Sequence, residues 1–186
     1  FQPELRRALE DIGKGRFLGE QVTSEDSAEE LAEEVYKAIE NFSKKRIGAL
    51  IVFEQEIGLK DFMENGVMMR SKISAELLNT IFMPFTPLHD GAVIIKGQMI
   101  EAAACFLPSA SNHNEVAKEL GSRHRAAIGV SEITDALVFV VSEETGQISK
   151  AKGGKLTRGL APDRIKKLVA AAFSRGNRAR GLFGKK

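Results

Sequence analysis

Residues 92–106, AVIIKGQMIEAAACF, decide the fold. Ala92–Lys96 and the run ending at Phe106 are rich in β-branched and small apolar residues, and the short turn Lys96-Gly97-Gln98 joins them. A turn that short joins antiparallel neighbours, because a parallel return needs a crossover of about a dozen residues or more. The sheet is therefore not wholly parallel.

Outward from this hairpin, other segments are read by their period. Thr23–Arg46 repeats apolar residues at Ala28, Leu31, Ala32, Val35, Ala38, Ile39 and Phe42, which predicts an amphipathic helix. Ser27 with Glu30 offers a capping box, and Lys44, Lys45 and Arg46 suit the negative end of the helix dipole. IGALIVFE, Ile47–Glu54, has no helical period and reads as a strand buried on both faces. SAELLNTIFM, Ser74–Met83, is a second amphipathic segment halted by Pro84. Helical stretches are expected at Asn114–Leu120 and Arg125–Ile133, strands at ALVFVVS (Ala136–Ser142) and QISKAK (Gln147–Lys152), and a helix at Ala161–Phe173. The expected class is α/β: one domain with a central mixed β-sheet flanked by helices on both faces.

Composition narrows the possibilities. The chain has 186 residues, is 43% hydrophobic and holds one cysteine, Cys105, inside an apolar run. A lone cysteine excludes a disulfide framework and a cysteine metal site, and it suits a reducing compartment. The apolar runs fall well short of the roughly 20 residues that span a bilayer. The net charge of +2 conceals an asymmetry, for residues 146–186 carry twelve Lys or Arg against Asp163 alone, +11, leaving −9 for the rest. A basic tail of this kind grips nucleic acid in some proteins, but nucleic acid is not the expected partner here. Residues 174–186 read as a loose, solvated end.

Three polar clusters interrupt the apolar segments. In TPLHDGAVII, Thr86–Ile95, Asp90 and Gly91 sit at the mouth of a strand, where open α/β sheets bind ligands, although Asp-Gly is also a common turn. In LGSRHRAAIGVSE, Leu120–Glu132, Gly121 and Ser122 offer donors ahead of Arg123, His124 and Arg125. Two guanidinium forks beside a helix N-terminus suit a phosphate. His124 can equally be a hydrogen-bonded structural histidine, and the arginines can be surface ion-pair partners. In SEETG, Ser142–Gly146, Glu143 and Glu144 close a strand; they are ordinary turn acids, or carboxylates able to share a divalent cation with a polyphosphate. His89 is a further possible ligand, more suited to Mn²⁺ than to Mg²⁺, and His113 reads as solvated. There is no Walker-type or dinucleotide glycine loop.

Asp90-Gly91-Ala92 and Arg123-His124-Arg125 stand thirty-three residues apart, followed by SEET. In these surroundings, from about Gly48 to Arg158, the chain resembles the diadenylate cyclases. The resemblance implies condensation of two ATP into the second messenger cyclic di-AMP with release of two pyrophosphates, in a site formed between two face-to-face protomers. A homodimer or larger assembly is therefore expected. It also implies a catalytic set of Asp90, Gly91, Ala92, Arg123, His124 and Arg125. ATP contacts are implied for Leu88, Leu107, Gly121, Ser122, Arg123, His124, Arg125, Ser142 and Glu143. A Mg²⁺ or Mn²⁺ ion is implied at His89, Asp90, Glu143 and Glu144. Ser122 stands where the family more often has threonine, and the loop SASNHNE leaves Ser109 or Ser111 for a polar role. FQPELRRALE, Phe1–Glu10, resembles the segment after the transmembrane helices of the membrane-anchored type. Residues 1–20 are thus expected to follow a removed membrane part, residues 21–173 to form the catalytic domain, and the domain to work at the cytoplasmic face of the cell membrane. The competing reading is a catalytically silent nucleotide sensor of the same fold.

Overall fold

A computed structural model of the chain describes residues 24–110 and 120–183. The expectations for residues 1–20, for Ser111, for His113 and for the helical stretch over 114–119 lie outside them.

The elements follow in the order α1 (Ser24–Lys45), β1 (Ala49–Phe53), α2 (Lys60–Met63), β2 (Val67–Lys72), α3 (Ala75–Ile81), β3 (Ala92–Lys96), β4 (Met99–Cys105), α4 (Ser122–Ile133), β5 (Leu137–Val141), β6 (Ile148–Lys152), β7 (Lys155–Arg158) and α5 (Pro162–Phe183). All seven strands join one sheet in the order β2-β4-β3-β1-β5-β6-β7. Only β1 and β3 run parallel; every other neighbouring pair is antiparallel, so the sheet is mixed as expected.

Alternation along the central strands divides the core. Ala49, Ile51 and Phe53 of β1, with Leu137, Phe139 and Val141 of β5, pack against α1, α3 and α5. Phe53 meets the rings of Phe139 and Phe173 edge-on, at 6.0 and 5.4 Å between centroids. Leu50, Val52, Val138 and Val140 face the other way, onto Ala127 and Val130 of α4 and Met63 of α2. Each fully buried large apolar side chain contributes about 1.5–3 kcal/mol, and strands of this kind need helices on both sides.

Four local expectations are corrected. Helix α1 begins at Ser24, so Ser27 lies a turn inside it and accepts a hydrogen bond from Gln98 Nε2 (3.2 Å) instead of capping. Helix α4 begins at Ser122 rather than Arg125, because Gly121 takes the extended conformation of an N-cap. Helix α5 runs on to Phe183, so the tail expected to be loose from residue 174 is helical that far. Its alanines and arginines favour helix, and the two glycines only weaken it. The strands β2 and β7 had no counterpart in the periodicity. Both are short edge strands with mostly exposed residues.

Helix α4 is locked against the loop after β4. Ala110 N donates to the Arg125 carbonyl (2.9 Å), and a Cβ at Gly129 would lie 2.2 Å from the Pro108 carbonyl oxygen and 2.5 Å from the Ser109 carbonyl carbon. Gly129→Ala gains roughly 1 kcal/mol of helix propensity, but backbone atoms must move to admit the methyl group. Overpacking of this kind costs about 1–3 kcal/mol. The substitution should lower stability in urea unfolding; equal or greater stability would show that the loop is not held by this contact.

Candidate phosphate-binding site

Strand polarity collects the polar clusters at one edge of the sheet. The start of β1 lies beside the end of β5, since Ala49 pairs with Val141, and the start of β3 lies beside the end of β4, since Ala92 pairs with Cys105. The start of β6 and the end of β7 complete the same edge, with Ile148 opposite Val141 and Arg158 opposite Ser149. Helix α4 leads into β5 and so presents its N-terminus there.

At that edge lies a polar cavity of about 230 Å³. Arg123 and His124 from the first turn of α4 line it, as do Glu143 and Glu144 from the β5–β6 turn and Arg158 from β7. Gly121, Ser122 and Ser142 of the expected set also border it. Gly121 supplies no side-chain cap, so the first N–H groups of α4 are left for a ligand.

Arg123 is held rather than free. Its Nη1 donates to Glu143 Oε2 at 3.0 Å, and its side chain is 18% exposed against 65% for the glutamate. Its Nε is buried without a partner. A buried donor left open is costly in a native protein and calls for a water or an anion. A half-exposed ion pair contributes only about 0–1 kcal/mol, so the pair serves position more than stability. Gly48, which drew no notice in the sequence, makes room for it: a Cβ there would stand 2.7 Å from Arg123 Nη1 and 3.0 Å from Glu143 Oε2.

The acidic turn is fixed from both sides. Ser142 Oγ accepts from the N–H groups of Glu144 (3.3 Å) and Thr145 (3.2 Å), and Ser43 Oγ of α1 donates to the Gly146 carbonyl at 2.6 Å. Gly146 has φ +73°, and a Cβ there would meet the Ser43 carbonyl oxygen at 2.4 Å, so glycine is required.

The remaining expected residues lie elsewhere. Asp90 is exposed at the mouth of β3, two strands from β5 and so about 10 Å away along the edge. Gly91 has φ +108° and presses on β4, where a Cβ would lie 2.8 Å from the Ala104 carbonyl carbon. Ala92 begins β3 and is buried. His89 Nδ1 donates to the Thr86 carbonyl in the tautomer that leaves Nε2 as a lone-pair ligand (2.5 Å). Leu107 packs on the α4-side core and Leu88 on the opposite one, so the structure does not gather them. Arg125 is exposed and is not among the residues lining the cavity. Among the described residues no three of His, Cys, Asp and Glu come together as a metal cage, so the four expected metal ligands are divided between the β3 mouth and the β5–β6 turn. Burial pushes the Cys105 thiol up to about 11, which leaves no thiolate for chemistry.

The mixed α/β sheet thus carries at its edge a helix N-terminus without a side-chain cap and a paired guanidinium and carboxylate, an arrangement whose donors suit an anion such as phosphate. Residues 36–156 match the DAC family, described as DisA bacterial checkpoint controller nucleotide-binding, and the chain belongs to this family. It is 50% identical over 179 residues to the cyclic di-AMP synthase CdaA of Bacillus subtilis, covering 96% of this chain and 65% of that one. It is 48% identical over 172 residues to a diadenylate cyclase of Listeria monocytogenes, covering 91% of this chain and 62% of that one. The chain thus spans slightly less than two thirds of these relatives. A crystal structure of DacA from Staphylococcus aureus carrying two cysteine substitutions superposes with a TM-score of 0.75 at 50% identity, over 78% of this chain and 96% of that one.

His124 is held below its ordinary value of 6.5, chiefly by burial and next by the Arg158 charge, while Glu144 acts in the opposite sense. The native state therefore resists the proton. The stability this contributes is complete above about pH 6.5 and is lost as pH falls through the lowered value, because the unfolded chain takes up the proton first. Glu144→Gln removes the raising influence, so the His124 midpoint in an NMR titration should move further down; an upward shift would contradict the electrostatics described.

Proposed function

We propose that the domain is a diadenylate cyclase, joining two ATP molecules into cyclic di-AMP and releasing two pyrophosphates. The observation that carries this reading is the anion cavity beneath α4, with its buried, unpartnered Arg123 Nε. Membership of the DAC family and the likeness to a cyclic di-AMP synthase of Bacillus and a diadenylate cyclase of Listeria support it.

On this reading Ser122, Arg123 and His124 bind the triphosphate through backbone N–H groups, hydroxyl and guanidinium, and so offset charge as pyrophosphate departs. Asp90 orients the attacking 3′-hydroxyl and accepts its proton. Such transfer requires mainly alignment and electrostatic stabilisation, with no covalent nucleophile. In one chain Asp90 stands apart from the cavity, which favours a face-to-face homodimer in which each copy presents one nucleotide to the other. His89 and Asp90 at the β3 mouth, with Glu143 or Glu144 at the turn, offer the few protein ligands that Mg²⁺ or Mn²⁺ needs when phosphate oxygens supply the rest. A cation held there would neutralise phosphate charge and polarise the P–O bonds. Leu107, on the α4 side, is the adenine contact best placed to act with the cavity. No helix of the described residues is long and apolar enough to cross a membrane; anchoring to the cytoplasmic face of the cell membrane through a segment before residue 1 is part of the proposal.

Incubation with ATP and Mn²⁺ or Mg²⁺, followed by chromatography, should yield cyclic di-AMP, with a rate per protomer that rises with protein concentration. No product with either metal at high concentration would overturn the activity, and tight ATP binding without turnover would favour a silent sensor. Asp90→Asn should lower turnover by about a hundredfold to ten-thousandfold, the range for a lost general base, while nucleotide binding persists.

A further inference from the structure

Among the described residues two guanidinium groups line the cavity, but they are not the pair in the Arg-His-Arg motif. Arg123 lines it and Arg125 does not; the second is Arg158, the last residue of β7. Strand register explains its direction. Ala151 pairs with Leu156 and Ser149 with Arg158, and directly opposed residues share a face of the sheet. Ala151 belongs to the core on the α4 side and Leu156 packs against it, so Ser149 and Arg158, two residues along, also face α4.

Three features suggest that this guanidinium awaits an anion. Among the described residues Arg158 has no carboxylate partner, whereas Arg123 is already engaged by Glu143. Its register neighbour Ser149 is fully buried and its Oγ has no hydrogen-bond partner, a second unsatisfied polar group at this end of the sheet besides Arg123 Nε. Arg158 is also exposed, so its fork can reach phosphate without breaking an existing bond.

We propose that Arg158 is the second phosphate-binding guanidinium of this site and that it reads the terminal phosphates of a nucleoside triphosphate. The proposal rests on the nucleotide reading above and deepens it. The strand order supplies the direction: Asp90 and Leu107 sit at the mouths of β3 and β4, the α4 N-terminus meets the end of β5, and β7 is the far edge strand. A nucleotide with its base and ribose at β3 and β4 runs its phosphates along the edge past Arg123, and the arm furthest along meets the end of the chain. Arg158 then distinguishes nucleotides by phosphate count, holding ATP and leaving AMP ungripped.

The test compares ATP and AMP binding by calorimetry with Mg²⁺, in an Asp90→Asn background so that ATP is not consumed. Arg158→Ala should weaken ATP about tenfold to a hundredfold, as expected for losing hydrogen bonds to a charged group, and leave AMP almost unchanged. Arg158→Lys should recover part of the loss, since it keeps the charge without the fork. Lys155→Ala, at the other end of β7, should leave both affinities within about twofold, as remote surface changes do. An unchanged ATP:AMP ratio in Arg158→Ala, or equal weakening of both nucleotides, would overturn the role of Arg158 while leaving the nucleotide site intact. A parent protein that does not prefer ATP to AMP would overturn the site reading itself.

Discussion

Burial of β1 and β5 on both faces is the constraint from which the rest of the structure follows. Ala49–Phe53 and Leu137–Val141 contain no polar side chain and are buried throughout, so α1, α3 and α5 cover one side and α4 with α2 the other. Because α4 must cross back over the sheet to feed β5, its N-terminus falls at the edge where β5 ends. The position of the polar cavity is thus a consequence of how the core is closed. Small residues then allow close approach: Gly48 under the Arg123–Glu143 pair, Gly129 under the Pro108–Ala110 loop, and Gly91 against β4.

The edge also stores strain. Between Ala92 and Ile94 the register with β4 shifts, and Ala104 adopts φ +53°, a left-handed conformation that costs a non-glycine residue about 1–3 kcal/mol. Bulges of this kind re-aim side chains beside functional sites. Here the bulge lies directly against Gly91, next to the exposed carboxylate of Asp90. At the neighbouring helix terminus the pKa of His124 is lowered by burial and then by the charge of Arg158.

Legibility in the sequence followed the range of the interactions. The strand–turn–strand at 92–106, the long helix α1 and the two-faced strands could be read because each is encoded by local periodicity. The gathering of Arg123, His124, Glu143 and Glu144 was anticipated by motif, and register supplies the geometry. Arg158 and Gly48 gave no local signal: one acts across β6, the other only through the space it leaves for a side chain seventy-five residues away. The strands β2 and β7 were missed because edge strands with one wet face lack the apolar runs that mark the centre of the sheet. Arg125 is the converse case: the motif groups it with Arg123, but it is not among the residues lining the cavity. Adjacent residues on a helix point about a hundred degrees apart, so Arg123 and Arg125 leave the helix in different directions.

That angular constraint separates the Arg-His-Arg motif into different tasks. Arg123 reaches back to β1 and the acidic turn, and His124 lines the cavity. Arg125 lies on the turn whose carbonyl is tied to Ala110, at the junction between the helix and the loop that continues from β4. Its side chain is exposed and is not among the residues that line the cavity. On the proposed reading, Arg158 supplies the second fork that a single copy needs to hold its own substrate.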